Sequence, residues 1–355
     1  MTRPARVVID ADAARHNLAR VRALAPGARV LAVIKADGYG HGIARMARIF
    51  DGADAFAVAA IEEAVTIREA GIAKPIVLLE GPFEHAELEL AAALGLDSVV
   101  HTEEQLDMLE RGPLPRALWL KFDTGMHRLG FDPADAPRAI ARARALGVPL
   151  RFMTHFANTH HRGDASVAAQ IARFEALLGD TPGERSLANS GAVLAYDAAH
   201  GDWVRPGLML YGVSPFDGEV GTVLGLEPVM TLRSKLIAVR RVRAGEAVGY
   251  GGAYVCPEDM PVGVVAYGYG DGYPRHGGTG TPVLVRGVRT QVIGHCSMDM
   301  MTVDLRPVPD ARFGDPVTLW GVGLPIEEVA RASGTIPYEL LCRVRMRALY
   351  EEGKP

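Results

Sequence analysis

Residues 29–42 read RVLAVIKADGYGHG. The apolar run Leu31 to Ile34 has the texture of a strand buried on both faces. It ends in Lys35, and a glycine-rich turn carrying Tyr39 and His41 follows at once. The chain holds only five lysines against 33 arginines, so a lysine at the end of a buried strand asks for a reason. The same unit then repeats: short β-branched runs at 55–59, 75–79, 98–100, 117–122, 150–154, 185–188 and 207–211 alternate with amphipathic segments such as 12–24, 61–70, 102–111, 133–146 and 165–178. Thr102, with Gln105 three residues on, and Asp132 before Pro133 read as helix caps. About eight such units predict a parallel sheet covered by helices, and the count fits a closed (β/α)8 TIM-like barrel. An open doubly wound sheet is the alternative; no GxGxxG follows the first strand, which counts against a dinucleotide-binding version.

From about residue 227 the texture changes to short strands punctuated by Gly and Pro, with only 325–333 helical in pattern. The expected division is therefore a barrel over 1–226 and a mostly-β domain over 227–355. A net charge of −4 gives no electrostatic reason to expect nucleic acid or an anionic membrane as partner. No stretch has the roughly 18 apolar residues of a spanning helix, and MTRPARVVIDAD enters a strand-like run without a signal-peptide core. Three widely spaced cysteines, Cys256, Cys296 and Cys342, suggest neither a disulfide framework nor a metal site. A cytoplasmic protein is the expectation.

Active groups of parallel barrels lie at the carboxyl ends of the strands. Lys35, Lys121, Arg128, His155, Asn189, Ser190, Arg205 and Gly207 all fall at such predicted ends or in the loops after them. Singly each has a plain reading: a solvated lysine, a satisfied histidine, an Asn N-cap. As a set they suggest chemistry. A lysine in a partly dry pocket can lose its proton and attack a carbonyl. A hydroxyl and an amide at a helix start, with glycine amides nearby, make a phosphate cradle. Together they describe what pyridoxal 5′-phosphate requires. An aldolase would also use a barrel lysine but would not need the β domain.

The segments VIKADGYGHG, LKFDTGMHRLG, THFAN, ANSGA, VRPGLMLYG, VGYGGAY, YGDGY and CSMDM occur in the order seen in bacterial alanine racemases, and the chain resembles that family over essentially its whole length. The resemblance implies a pyridoxal phosphate-dependent racemase of fold-type III that interconverts L- and D-alanine, for peptidoglycan or in alanine catabolism. It implies a head-to-tail homodimer whose active sites each use residues of both subunits, with the strand Val7–Asp10 joining the β domain. Under it Lys35 is the Schiff-base lysine and the acid or base on one face of the substrate, and Tyr250 of the other subunit serves the opposite face. Tyr39, Ser190, Gly207 and Leu208 contact the phosphate, and Asn189 is expected among the cofactor-binding residues beside Ser190. Arg205 partners the pyridine nitrogen, with His155 linking Arg205 to Tyr250. Arg128 reaches the cofactor's phenolic oxygen and the substrate carboxylate, and Lys121 is the carbamylated lysine that orients it. Met298, Asp299 and Tyr269 are the partner subunit's substrate contacts.

Racemisation removes a proton on one face and delivers one on the other, so two acid–base groups must flank the reacting carbon. Arginine is always protonated, so Arg205 opposes protonation of the pyridine nitrogen and limits side reactions. Two positions depart from the family pattern. Met346 stands where some members carry a tyrosine, with Tyr350 nearby, and His295 stands where arginine is common. Both bear on substrate range. A fold-type III decarboxylase is the enzymatic rival, through Cys296 and Asp299, and a pyridoxal phosphate-homeostasis protein the non-enzymatic one; the second base in VGYGGAY and the β domain argue against them. His160-His161 suggests a metal pair, but with no third ligand evident it reads as a surface loop, and no metal is expected.

Overall fold

The computed structural model describes residues 3–344 and 347–355. Two compact units divide it: Arg15–Leu210 with Pro215–Asp217, and the remaining described residues. The first strand, β1 (Arg6–Ile9), belongs to the second unit. The next eight, β2 (Arg29–Val33), β3 (Ala55–Val58), β4 (Ile76–Leu78), β5 (Asp97–Val100), β6 (Ala117–Lys121), β7 (Leu150–Met153), β8 (Glu184–Asn189) and β9 (Trp203–Arg205), are parallel and close into a barrel, with β9 paired back to β2. Val30, Leu31, Phe56, Val77, Val99, Leu118, Leu120 and Phe152 are wholly buried, because strands covered on both faces leave no side for polar residues.

Seven of the strands lie where the apolar runs predict them; the eighth does not. Residues 208–211 form a 3-10 turn, and the closing strand is Trp203–Arg205. Pro206 has no N–H for a ladder and ends the strand there. Both caps are present: Thr102 Oγ1 accepts from Gln105 N, and Asp132 Oδ1 from Ala134 N. The Gln105 side chain does not complete a capping box; its Oε1 accepts instead from His101 N at 2.8 Å.

The amino ends of the barrel strands are closed by a lattice of charge and aromatic rings. The buried Asp97 carboxylate accepts from Arg116 Nε at 2.8 Å, Trp119 Nε1 at 3.1 Å and Arg151 Nη1 at 3.1 Å. Glu184 takes Arg151 Nε at 2.6 Å and Trp203 Nε1 at 3.0 Å and pairs with Arg29. The Trp119 and Trp203 rings meet edge to face, 5.4 Å between centroids. A buried carboxylate with three donors is tolerable where a lone one is not. This end is therefore plugged.

In the second unit, β10 (Met230–Val242) is the spine. Its first half pairs antiparallel with β1 and with β17 (Pro316–Trp320), its second half with β13 (Met260–Val265), and a bulge lies between Leu236 and Ala238. The ladder continues from β13 through β16 (Met301–Asp304), β15 (Val288–Ile293) and β14 (Pro282–Val285) to β17. On the other side, β18 (Leu349–Glu352) runs parallel to β1. The two-residue strands β11 (Ala247–Val248) and β12 (Tyr254–Val255) form a separate hairpin. Two helices occur here, Ile326–Ala332 and Pro337–Arg343, where the sequence pattern suggested one. No helix among the described residues is long and apolar enough to cross a membrane.

Candidate active site

Lys35 follows β2 by two residues and opens an unusual turn. Ala36, Asp37, Gly38 and Tyr39 all have φ between 51° and 63° and ψ between 42° and 53°, one turn of left-handed helix. For residues other than glycine that conformation costs about 1–2 kcal/mol each, so the surroundings must hold it. Gly38 N donates to Ile34 O at 2.9 Å, Ala36 N to Glu63 Oε1 at 2.6 Å, and Ile43 N to Asp37 Oδ1 at 2.7 Å. His41 Nδ1 lies 3.0 and 2.8 Å from the Gly38 and Tyr39 carbonyls; carbonyls only accept, so Nδ1 carries the proton. Burial pushes the His41 pKa down to about 4, and the ring stays neutral in its role of locking the turn.

Around Lys35 the other strand ends gather cations. Arg205 closes β9 and is buried. It donates to Ser186 Oγ at 2.7 Å, Thr154 O at 2.5 Å and Leu187 O at 3.2 Å, and lies 3.3 Å from His155 Nδ1. A guanidinium has no acceptor, so Nδ1 accepts and the His155 proton sits on Nε2. Burial, and then the charges of Arg205, Lys121, Arg128 and Lys35, hold the His155 pKa well below its ordinary value. Burial lowers the Arg205 pKa to about 10, which leaves it a cation at neutral pH. Lys121 ends β6 with 7% of its surface exposed. Burial first, then Arg205, Arg128 and Lys35 against the partial offset of Asp123, bring its pKa down to about 8. Arg128 is exposed on the loop after β6. Asp123 Oδ1 shapes that loop by accepting from the amides of Gly125, Met126 and His127 at 2.9, 2.9 and 3.1 Å.

The third group is neutral. Ser190 Oγ accepts from Gly207 N at 2.9 Å and Met209 N at 3.3 Å. A Cβ on Gly207 would stand 2.4 Å from Tyr39 Oη, so glycine there is what admits the tyrosine. Leu208, next in line, begins the 3-10 turn. Asn189 is engaged elsewhere: its Oδ1 caps the following helix at Ala192 N, 3.1 Å, and accepts from Thr159 Oγ1 at 3.0 Å. Nine of the predicted residues thus share one barrel end, and Asn189 braces them from behind.

Tyr250, Tyr269, Met298 and Asp299 lie in the other unit. Tyr250 is 74% exposed in a turn flanked by Gly249, Gly251 and Gly252, and Met298 is 53% exposed. Tyr269 N donates to Ser297 O at 3.0 Å and Gly270 N to Met298 O at 2.8 Å; a Cβ on Gly268 would lie 2.3 Å from Ser297 O. Beneath these segments is a cluster the sequence does not reveal. The buried Asp271 carboxylate takes Arg3 through two bonds, 3.1 and 2.6 Å, and Arg347 Nε at 3.2 Å. Arg347 also donates to Asp299 Oδ1 at 2.6 Å, and Arg3 to Asp299 O at 2.7 Å. Asp271 stood in the quoted YGDGY, but its partners lie at the two ends of the chain. His295 is exposed, and Tyr350 sits in β18 opposite Val7; Met346 lies outside the described residues. Cys296 is buried, and burial pushes its thiol up to about 12, so it is no ready nucleophile.

Residues 9–215 match the family description "Alanine racemase, N-terminal domain" and residues 229–350 "Alanine racemase, C-terminal domain". The alanine racemase of Nitrosococcus oceani is 53% identical, covering 96% of this chain and 97% of that one. The biosynthetic alanine racemase of Pseudomonas aeruginosa superposes with a TM-score of 0.97 at 46% identity, over 99% of this chain and 100% of that one. The Bartonella henselae alanine racemase, solved with covalently bound pyridoxal phosphate, gives 0.88 at 28% identity over 99% of each chain. The chain therefore belongs to the alanine racemase family, whose reaction is the interconversion of L- and D-alanine.

Proposed function

We propose that the chain racemises alanine by a two-base mechanism on pyridoxal 5′-phosphate held at the carboxyl end of the barrel. Lys35 works on one face of the substrate Cα, and Tyr250 from the second chain of a head-to-tail homodimer works on the other. What supports this reading is one convergence: Lys35, Lys121, Arg128 and Arg205 act electrostatically on the same neutral His155, beside the Tyr39–Ser190–Gly207 cradle. Four cations with one weakly opposing carboxylate make a home for a dianionic phosphate and a substrate carboxylate. The cradle fits a phosphate as well, since the absence of a side chain on Gly207 lets the Tyr39 hydroxyl, the Ser190 hydroxyl and the Gly207 backbone meet at one place. A cytoplasmic location accords with the reading.

When bound, the cofactor withdraws electrons from the substrate's Cα–H bond and makes that hydrogen mobile. Lys35 is the group at the barrel end able both to hold the cofactor's aldehyde carbon and to carry a proton. Arg205, fixed by four contacts, offers the pyridine nitrogen a cation that cannot give up a proton, and so keeps the electron withdrawal moderate. His155 accepts from Arg205 through Nδ1 and has Nε2–H left to orient a phenol oxygen. Lys121, as a carbamate, is an anion that holds Arg128 toward the substrate carboxylate. Tyr250, exposed in its own chain, is free to serve a neighbouring one. Met298 and Asp299, braced by Arg3, Arg347 and Asp271, border the substrate with Tyr269. The departure at His295 leaves room for a substrate range broader than alanine.

The test is to incubate the protein with pyridoxal phosphate and, separately, L- and D-alanine in deuterated water. Both should converge on an equal mixture with deuterium at Cα. In Tyr250→Phe, interconversion should fall by about 10²–10⁴-fold, while one enantiomer still exchanges its Cα hydrogen with retained configuration. Equal loss of exchange in both enantiomers would remove Tyr250 from the opposite face; carbon dioxide release would mean a decarboxylase.

A further inference from the structure

We infer that His160, His161 and Asp217 form a binding site for a divalent transition-metal ion of the zinc, nickel or cobalt kind. One nitrogen of each imidazole and one Asp217 carboxylate oxygen lie within 4.8 Å of one another, the only such group of three His, Cys, Asp or Glu among the described residues. Adjacent histidines in a loop rarely converge, and the sequence shows no third ligand beside them. Their ring centroids stand 4.1 Å apart instead, and the fold brings in a carboxylate from 56 positions further along, with His161 Nδ1 3.9 Å from Asp217 Oδ2.

The meeting of the two segments is built. Asp217 N donates to His160 O at 3.3 Å. Phe216 is buried, with the Arg162 guanidinium 3.8 Å over its ring. Tyr196 Oη donates to His161 O at 2.9 Å and accepts from Asp164 N at 3.1 Å. These contacts fix the backbones at His160, His161 and Asp217 and leave the exposed His161 and Asp217 side chains to turn toward the half-buried His160. His161 and Asp217 are exposed, at 55% and 71% of their side-chain surface. Metal–ligand bonds of about 2.0–2.1 Å bring ligand atoms to within roughly 3.3 Å of each other, which rotation of exposed side chains supplies. Two imidazoles and a carboxylate suit zinc, nickel, copper and cobalt over magnesium or calcium. They leave a fourth position for water. Asp164 adds a second carboxylate within electrostatic reach of both imidazoles; the Arg162 charge opposes it but is turned to the Phe216 face. The ion would clamp the loop that leaves β7 through His155 onto the segment at 215–217.

None of these three side chains has a role in the racemase reading, so the inference stands or falls apart from it. The experiment uses the full chain, without a histidine tag, loaded with cofactor and freed of metal by chelator. It is titrated with Co²⁺ and followed by visible d–d absorption, with Zn²⁺ retention after dialysis measured by elemental analysis. One equivalent per chain is expected. His161→Ala and Asp217→Asn should each weaken binding by at least about tenfold with racemisation unchanged, and His16→Ala, an exposed histidine outside the cluster, should bind as the parent does. Cobalt affinity equal in parent and Asp217→Asn, or zinc retention no greater in the parent than in His161→Ala, would overturn it.

Discussion

Lys121 is in a place where an ammonium is disfavoured, buried and faced by Arg205, Arg128 and Lys35. With its pKa at about 8 against an ordinary 10.5, the folded chain binds fewer protons there than the unfolded chain between those values. The charged lysine therefore costs stability below pH 8, on the order of 3 kcal/mol, and that cost is relieved as pH rises from 8 towards 10.5. The same shift makes roughly a quarter of the side chain neutral at pH 7.5, against about 0.1% for an ordinary lysine, and the neutral amine is the form that takes up carbon dioxide. Carbamylation would replace a disfavoured cation by an anion among cations. Bicarbonate at pH 7.5 is therefore expected to raise the melting temperature of the parent and leave Lys121→Met unmoved. With ¹³C-labelled bicarbonate, the parent should show one carbamate resonance that the variant lacks. The variant should also raise KM for alanine more than it lowers kcat, since Arg128 loses its anchor. No resonance, together with an unchanged KM, would sink the assignment.

The turn after β2 and the segment that leaves β9 meet where Gly207 stands against Tyr39 Oη, and this makes a prediction about two elements together. In Gly207→Ala the backbone suffers no left-handed strain, because Gly207 is absent from the positive-φ residues. The new methyl instead falls 2.4 Å from Tyr39 Oη and 3.2 Å from its Cζ, so the buried phenol has to shift to admit it. Unfolding free energy should therefore fall by about 1–3 kcal/mol, while pyridoxal phosphate affinity of the folded variant falls by about 10–100-fold through the displaced phenol; unchanged affinity would mean the glycine serves the fold alone. Little of this contact is readable in the chain. Seven barrel strands were legible because a strand buried on both faces is a continuous apolar run. Trp203–Arg205 was not, being three residues cut short by Pro206. The turn after β2 was legible from its glycines, but its left-handed course was not: Ala36, Asp37 and Tyr39 are ordinary residues held there by Ile34, Glu63 and His41. The helix Pro337–Arg343 did leave a signal, a proline at its first position with Glu339 two residues on, but at seven residues it is too short to show a clear helical period. Asp271 could not be read at all, since its partners Arg3 and Arg347 lie 268 and 76 positions away.

For the molecule as a whole, the question is which chain completes which site. Lys35 and its cations belong to one unit and Tyr250, Met298 and Asp299 to the other, and the head-to-tail reading gives each active site one unit from each chain. Arithmetic then separates shared from self-contained sites. Lys35→Ala and Tyr250→Phe chains are each expected to be nearly inactive alone. Co-expressed in equal amounts, they should form mixed dimers in about half of all pairings. A mixed dimer has one site with both defects and one with neither, because the Tyr250→Phe chain supplies an intact Lys35 and the Lys35→Ala chain an intact Tyr250. Recovered activity should therefore approach about a quarter of the parent's. It should rise with the proportion of mixed dimers isolated through two different affinity tags, reaching about half in the purified mixed species. Were each chain to complete its own site, every site in the mixture would keep its single defect and nothing would be recovered at any mixing ratio. Recovery to a quarter with no dimer in sedimentation at assay concentrations would contradict the dimer while leaving exchange of units between chains, and only a stable mixed dimer carrying the activity satisfies both parts of the reading.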